Sequence, residues 1–182
     1  MVKRLLRAGG SGVGLLLCVL LGAAAGLRAQ AVSAVPKLDL HRSTGTWYEM
    51  ARLPNKREKR CVGDGFMLIA DGEKPDRLLV VVSCKAKSGY PNVFNVQARA
   101  QDKSGDGKLK VRYIWPFYKK FWVLDVGPEY EWALVGSPNH KSLWVLSRTP
   151  VMTPEVLREV EARAAAEGFP MAKVVAVPQS GR

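Results

Sequence analysis

The chain has 182 residues, which is enough for one domain of ordinary size and too few for a multidomain enzyme or a repeat array. Hydrophobic residues make up 47% of the sequence and charged residues 24%, a balance that fills a core and excludes an intrinsically disordered chain. The formal net charge is +12, and the three cysteines form no CxxC or His/Cys cluster, which argues against zinc and iron–sulfur sites. No cofactor is predicted.

The N-terminal segment has the pattern of a secretory signal peptide. Basic residues within the first seven positions precede an apolar stretch over residues 13–25, and the small residues Ala29 and Ala31 follow it. This stretch is shorter than the roughly 20 residues that a membrane-spanning helix needs. We therefore expect a cleaved signal peptide over residues 1–31 and a single domain over residues 32–182. The mature protein is expected to be periplasmic or secreted, with association with the outer membrane as the alternative.

Removal of the signal peptide changes the charge. Four of the 28 basic residues leave with it, so 24 remain against 16 acidic residues, a net charge of +8. This surplus is compatible with attraction to an anionic membrane surface and also with an ordinary solvated surface. Nucleic acid is not expected as a partner of an exported protein. The strongest local cluster of positive charge, residues 55–60, has the composition of a loop.

Strand signals recur at short intervals through most of the mature domain. Runs of β-branched and aromatic residues alternate with turn-forming pairs such as Ser88-Gly89 and Gly127-Pro128. Many short strands joined by tight turns predict an antiparallel sandwich or barrel. The eight predicted strands cover residues 47–53, 62–70, 78–84, 93–100, 108–113, 121–126, 132–136 and 143–147.

Two cysteines, Cys61 and Cys84, remain in the mature domain. They flank a predicted hairpin whose turn contains the midpoint between them, so we expect them to lie nearly opposite each other on two antiparallel strands, where a disulfide can form. An oxidising compartment favours the bond. The alternative is a reactive thiol.

One helix follows the strands. Thr153 suits the N-cap of this helix, and Pro154 suits its first position. An apolar stripe follows and ends before Gly168; it consists of Val156, Leu157, Val160 and Ala164. Residues 171–177 then form a short final strand. These elements predict an all-β fold: a closed eight-stranded antiparallel barrel with one C-terminal helix packed on its wall. Such a barrel is just wide enough to hold one small ligand.

Three sequence blocks resemble those of the lipocalin family. Residues 45–49 (GTWYE) resemble the G-x-W signature, residues 125–135 resemble the second block, and residues 143–148 (LWVLSR) are similar to the third. The continuation of that third block through Thr149-Pro150, together with WPFY at residues 115–118, is close to the bacterial lipocalin branch, a relative of apolipoprotein D. The resemblance spans residues 35–178 and implies an up-and-down lipocalin barrel.

The first and last of these blocks have a physical interpretation. A barrel needs one end sealed, and Trp47, entering from the first strand after Gly45, is large enough to seal it. Arg148, leaving the last barrel strand, can place its guanidinium on the indole, a cation–π contact of about 0.5 to 2 kcal/mol. We therefore expect all three residues to close the barrel structurally, without a catalytic role.

The cavity and the open end are expected to carry the function. Alternate residues of each strand point inward, so one face predicts a largely apolar lining, although a one-residue slip would invert the assignment. The resemblance implies a fatty acid, lysophospholipid or phospholipid as ligand, for lipid transport or storage. The predicted ligand-binding lining is Phe66, Leu68, Val80, Val82, Val96, Ala98, Ala100, Val111, Tyr113, Trp132 and Leu134.

The rim of the cavity carries positive charge. The cluster over residues 55–60 lies in the connection between the first two strands, which is a long loop over the mouth in lipocalins. Its basic residues are candidates to contact an anionic head group, with solvated charge as the alternative: Lys56, Arg57, Lys59 and Arg60. Peripheral membrane contact is compatible with this arrangement, as are a monomer and a homodimer.

Catalysis has little support in the sequence. His41 and His140 are the only histidines, and neither neighbours an evident nucleophile. The enzymatic alternative is a barrel isomerase or transferase that uses a thiolate at Cys61, which would require an unbonded Cys84. A further alternative is a ligand-free interaction protein whose cavity is filled by Trp and Tyr side chains from the cluster at residues 115–122. The predicted function is therefore lipid binding without chemistry.

Overall fold

A computed structural model of the protein describes residues 31–180, so the predicted signal peptide lies outside the described residues. All eight predicted barrel strands are confirmed, with ends shifted by a few residues. They are β1 (Gly45–Arg52), β2 (Cys61–Asp71), β3 (Arg77–Ala86), β4 (Pro91–Ala100), β5 (Lys108–Ile114), β6 (Phe117–Val126), β7 (Trp132–Gly136) and β8 (Leu143–Ser147).

The eight strands close into an up-and-down barrel. Each strand pairs antiparallel with the next along the chain, β8 pairs with β1, and β1 pairs with β2, which completes the ring. Because consecutive strands are antiparallel, alternate connections lie at the same end. The connections over residues 53–60, 87–90, 115–116 and 137–142 therefore form one end, the mouth, and Trp47 near the start of β1 lies at the other, the closed end.

Helix α1 (Pro154–Ala166) packs on the barrel wall, as predicted. Its N-cap is Thr153, whose hydroxyl accepts from the Val156 N–H at 3.4 Å. Val160 and Ala164 are fully buried in an apolar cluster with the outward side chains of β7 and β8, including Leu134 and Leu143. The wall under the helix is thus a second core, separate from the interior of the barrel.

The final strand is shorter than predicted. Residues 171–177 begin as a 3₁₀ turn (Met171–Lys173), and only β9 (Val175–Ala176) pairs with β1. Strand β1 pairs with β2 only as far as Tyr48, so β9 occupies the part of its edge that β2 leaves free. This short edge limits β9 to two residues.

Strands β4 and β5 share a short ladder. Their pairing runs from Gln97 opposite Arg112 to Ala100 opposite Leu109, near the closed end. By contrast, β3 and β4 pair along their whole length, from Arg77 opposite Arg99 to Lys85 opposite Pro91. Beyond Gln97 and Arg112, β4 continues toward the mouth for six residues and β5 for two, without a ladder between them.

Candidate functional site

The interior of the barrel is hollow and apolar. Its lining comes from the inward faces of the strands, from Leu38 at the closed end and from three residues of the β1–β2 loop at the mouth. The cavity volume is about 120 Å³.

The predicted inward face is present in the three strands β3, β4 and β5. Their alternation is regular where they pair with each other, so the inward positions can be read from the sequence. Six of the predicted lining residues contact the cavity: Val80, Val82, Val96, Ala98, Val111 and Tyr113.

The face predicted for β2 is inverted. Met67 and Ile69 line the cavity, whereas Leu68 is 46% exposed and Phe66 lies in an outer groove. Beyond two bulges near Gly63, Met67 pairs with Val82 and Ile69 with Val80. Residues directly opposite each other on paired strands point to the same side of the sheet, so Met67 and Ile69 share the inward face of β3. The assignment of Phe66 and Leu68 to the lining was therefore wrong by one residue.

The prediction for β7 is inverted for a different reason. Trp132 and Leu134 are buried beneath helix α1, and Ala133 and Val135 line the cavity. Both faces of this strand are apolar because the helix covers the outer one, so alternation carries no signal there. Ala100, at the closed-end terminus of β4, is half-buried and does not reach the cavity.

The closed end is sealed by Trp47 and Arg148. The guanidinium carbon of Arg148 lies 3.8 Å from the centroid of the indole, and Trp47 is 2% exposed. The guanidinium also donates hydrogen bonds to four backbone carbonyls, those of Arg42 (2.5 Å), Thr44 (2.6 Å), Tyr130 (3.2 Å) and Thr46 (3.3 Å). One charged side chain therefore ties the N-terminal segment and the β6–β7 connection to the plug.

Gly45 fits this closure in two ways. Its φ is +96°, a conformation that side chains other than glycine rarely adopt. A Cβ at this position would also lie 3.0 Å from Nη1 of Arg148. The glycine before the plug thus leaves room for the guanidinium that covers it.

A buried polar cluster lies at the mouth, within the loop that the sequence predicted as a basic rim. Glu58 is 3% exposed and lines the cavity. Its Oε2 lies 3.3 Å from Nε of Arg52 and accepts from Nε1 of Trp144 at 3.4 Å; Asn55 donates to the same oxygen. Glu58 sits within a run of lysines and arginines, which concealed its burial at the level of sequence.

Glu49 lies on the other side of Arg52. Its Oε2 is 3.6 Å from Nη1 of Arg52, and its carboxyl is 1% exposed. Burial raises the pKa of Glu49 well above its usual range, the negative charge and hydrogen bonding of Glu58 raise it further, and Arg52 opposes the shift. Two carboxyl groups thus share one guanidinium in a site with little water.

Arg57 covers the cavity from the β1–β2 loop. Its guanidinium carbon lies 4.2 Å from the ring centroid of Tyr113 and 5.5 Å from that of Phe94. Burial raises the pKa of Tyr113 to about 12, so the phenol stays neutral at physiological pH. The loop is therefore fixed to the inner faces of two strands, β4 and β5.

Comparison with known proteins identifies the family of this barrel. The sequence profile of the lipocalin-like domain matches residues 38–179, most of the chain. The chain belongs to the lipocalin family. It is 33% identical over 160 residues to outer membrane lipoprotein Blc of Escherichia coli K12, covering 82% of this chain and 84% of that protein.

Other relatives agree with this assignment. Temperature-induced lipocalin-1 of Arabidopsis thaliana is 31% identical over 157 residues, covering 82% of this chain and 83% of that protein. Among solved structures, insecticyanin from the tobacco hornworm Manduca sexta superimposes with a TM-score of 0.64 at 20% identity, covering 82% of this chain and 85% of that one. The last similarity shows the shared fold alone.

The cysteines of this lipocalin form the predicted disulfide. Cys61 and Cys84 are bonded, with their Cα atoms 5.6 Å apart. They are not directly opposite each other, because the bulges of β2 align Cys61 with Ala86. With both sulfur atoms bonded, neither residue offers the thiolate that an isomerase or transferase would need.

Charge in this lipocalin is distributed unevenly between the two ends. Within the described residues, Glu58 is the single acidic residue of the four mouth connections, and it is buried. The basic side chains there are exposed, including those of Lys56, Arg57, Lys59 and Arg60. The closed end mixes both signs, with Asp71, Glu73, Asp102 and Glu129 exposed. The mouth is therefore the positive end of the molecule.

The hairpin between β5 and β6 projects apolar side chains into solvent at the mouth. Ile114, Trp115 and Phe117 are 66%, 75% and 76% exposed, and the Trp115–Pro116 peptide bond is cis. Because Trp115 and Tyr118 lie outside and Trp122 is half-buried beside the helix core, this cluster does not fill the cavity. Of the cluster at residues 115–122, only Phe121 lines the cavity.

No group of three or more His, Cys, Asp or Glu side chains within residues 31–180 is placed to hold a metal ion. No helix in the same residues is long and apolar enough to cross a membrane.

Proposed function

We propose that this lipocalin is exported and carries or stores a single-chain portion of a lipid (a fatty acid, a lysophospholipid or one chain of a phospholipid) at the cell envelope. The observation that supports the proposal is the hollow apolar interior, open at one end and sealed at the other by Trp47. Members of the family generally bind small hydrophobic ligands without catalysing a reaction on them. The names of the bacterial relatives place those proteins at the outer membrane.

Burial of the chain would supply the affinity. Each methylene group that leaves water for the apolar interior contributes roughly 0.8 kcal/mol. This gain is reduced by the cost of immobilising the ligand. Ala98 leaves space beside the larger Val80 and Val96, which keeps the interior open rather than filled.

The head group would remain at the mouth. Arg57 both lines the cavity and lies beside three other exposed basic residues of the same loop, so a carboxylate or phosphate at the rim meets positive charge. Glu58, held by Arg52, contributes an acceptor beneath them. An anionic head with donor hydroxyl groups would therefore match both layers of this rim.

Peripheral contact with a membrane is part of the proposal. Trp115 and Phe117 project from the mouth, and Lys119 and Lys120 are exposed on the adjacent strand. Apolar residues flanked by basic ones suit the interface of an anionic bilayer. Trp115→Ala combined with Phe117→Ala should reduce co-flotation with phosphatidylglycerol vesicles at least fivefold; the pair Leu68→Ala and Leu79→Ala, exposed on the wall, should leave it unchanged.

Native mass spectrometry of protein purified from its own compartment would test the proposed cargo. We expect an adduct that organic extraction removes and that tandem fragmentation identifies as a fatty acid or phospholipid species. An adduct-free protein that also fails to take up lipid from vesicles would contradict the proposal. The N-terminus of the same sample tests cleavage near Ala31.

A further inference from the structure

The barrel wall is open along one seam. The ladder between β4 and β5 ends at Gln97 opposite Arg112, yet β4 continues toward the mouth to Pro91 and β5 continues to Ile114. Both strands remain paired on their other sides, β4 with β3 and β5 with β6. Beyond the ladder, the last two residues of β5, Tyr113 and Ile114, run beside an unpaired part of β4. The ladder between β1 and β2 also stops early, but there β9 pairs with part of the free edge of β1.

A groove on the outer surface follows this seam. Its walls come from the outward residues of β3, β4 and β5 and from Trp115 of the hairpin tip. Val80, Val96 and Tyr113 border both the groove and the cavity. The groove and the cavity therefore lie on opposite sides of the same stretch of wall.

Side chains rather than backbone close the top of the seam. The rings of Phe94 on β4 and Tyr113 on β5 lie 6.3 Å apart across it, and Arg57 of the mouth loop lies over both. The amide of Asn92 donates to the Arg57 carbonyl at 3.0 Å, which ties the loop to β4. Opening this closure requires side chains to rotate but breaks no backbone hydrogen bond between β4 and β5.

We propose that this seam is a lateral portal through which the acyl chain of a lipid passes between an anionic bilayer and the cavity. The proposal rests on the proposed lipid-carrier function and adds a route to it. Trp115 lines the groove and also belongs to the exposed hairpin tip. The proposed membrane contact therefore lies next to the outer end of the portal. Arg112 and Lys119 flank the groove with positive charge. A chain can thus leave the bilayer sideways while its head group stays among basic residues.

Stapling the seam tests the portal. Extending the β4–β5 register by two residues places Asn95 opposite Ile114, and both side chains are exposed. In the mature, oxidised protein the natural cysteines are bonded, so Asn95→Cys with Ile114→Cys offers two free thiols for a short bismaleimide. The control is a staple across the mouth, Lys56→Cys with Lys141→Cys, two residues that line one groove there. Each variant capped with N-ethylmaleimide provides the unstapled reference.

The measurement is the rate at which 11-(dansylamino)undecanoic acid enters the protein from phosphatidylglycerol vesicles, together with its equilibrium Kd. We expect the seam staple to slow uptake at least tenfold and to change Kd less than twofold, and the mouth staple to slow uptake less than twofold. Equal rates for the two stapled proteins, or a slower rate for the mouth staple, would overturn the portal alone. No binding by the unstapled protein would overturn the proposed function and the portal together.

A second variant tests the closure without a staple. Arg57→Gln removes the guanidinium from above Phe94 and Tyr113 and should speed uptake at least threefold; Arg158→Gln, exposed on α1, is the control. Unchanged or slower uptake by Arg57→Gln would overturn the assigned closure.

Size-exclusion chromatography tests whether the seam instead pairs two copies of the chain. If the capped Asn95→Cys/Ile114→Cys variant loses a dimer that the unaltered protein forms, the seam is a site of strand pairing between copies and not a portal.

Discussion

The guanidinium carbon of Arg148 lies over the indole of Trp47, 3.8 Å from its centroid. The same guanidinium donates hydrogen bonds to backbone carbonyls of the N-terminal segment and of the β6–β7 connection. The contact therefore belongs to the scaffold. It fixes the closed end of the barrel, so that opening and closing are confined to the mouth and the seam.

Arg148→Ala should destabilise the protein without altering its ligand. Loss of the cation–π contact and of the charged hydrogen bonds should cost about 2 to 4 kcal/mol. For a domain of this size the melting temperature should fall by about 5 to 15 °C. Differential scanning calorimetry gives the shift, and dansyl-undecanoic acid titration at 15 °C gives the Kd, which should change less than threefold.

Arg42→Ala is the matched control for that variant. Arg42 is exposed and also lies over an aromatic ring, that of Tyr130 at 4.2 Å. Its loss should cost less than about 1 kcal/mol because solvent screens the contact. A Kd that rises tenfold in Arg148→Ala with little change in melting temperature would contradict the structural role of Arg148.

How far the site could be predicted from the sequence differs from strand to strand. Strands β3 to β5 alternate regularly, so their inward residues could be predicted. Ala100 is on the predicted face but lies beyond the end of the cavity. In β2 the bulges near Gly63 shift the register, and bulges leave no mark in a hydrophobic pattern. In β7 both faces are apolar because the helix supplies a second core. The burial of Glu58 depends on its contacts with Arg52 and Trp144, which a local sequence pattern does not reveal.

The corrected faces lead to a prediction about cavity volume. Ala98→Trp should fill the interior and weaken binding of dansyl-undecanoic acid at least tenfold, because Ala98 lines the cavity and is 4% exposed. Leu79→Trp, on the outward face of β3, should change the Kd less than twofold. Fluorescence titration measures both values, and circular dichroism checks that each variant is folded. Equal Kd values for the two variants would contradict the assignment of the interior as the binding site.

Glu49 predicts a pH dependence with a definite sign. Its pKa is raised in the folded protein, so the native state binds a proton more tightly than the unfolded state does. Below about pH 4.5 the protein therefore loses no stability through Glu49. The loss grows as the pH rises from there toward the raised pKa of the folded state. Arg52 and Glu58 are the charged groups that face it.

Glu49→Gln should remove that dependence. The free energy of unfolding of the variant, relative to the unaltered protein, should increase between pH 4.5 and pH 7.5 by up to about 1.4 kcal/mol per pH unit. Urea unfolding at several pH values measures the difference. Glu155→Gln, in an exposed pair with Arg158, is the control and should give a flat difference. A Glu49→Gln curve parallel to that of the unaltered protein would show that Glu49 is not protonated in the folded state.

The uneven charge of the two ends predicts how binding depends on salt. A triple variant with Gln at Lys56, Lys59 and Arg60 should bind dansyl-undecanoic acid about fivefold to twentyfold more weakly at low salt, because the rim loses three positive charges. Arg57 keeps its contacts with Tyr113 and Phe94 in this variant. The effect should shrink in 0.5 M NaCl, where screening is strong. The methyl ester of the same probe, which lacks the carboxylate, should bind both proteins equally. Changing Lys37, Lys74 and Lys103 to Gln removes the same charge from the other end and should leave the Kd within twofold. If both triple variants weaken binding equally, net charge rather than the mouth attracts the head group.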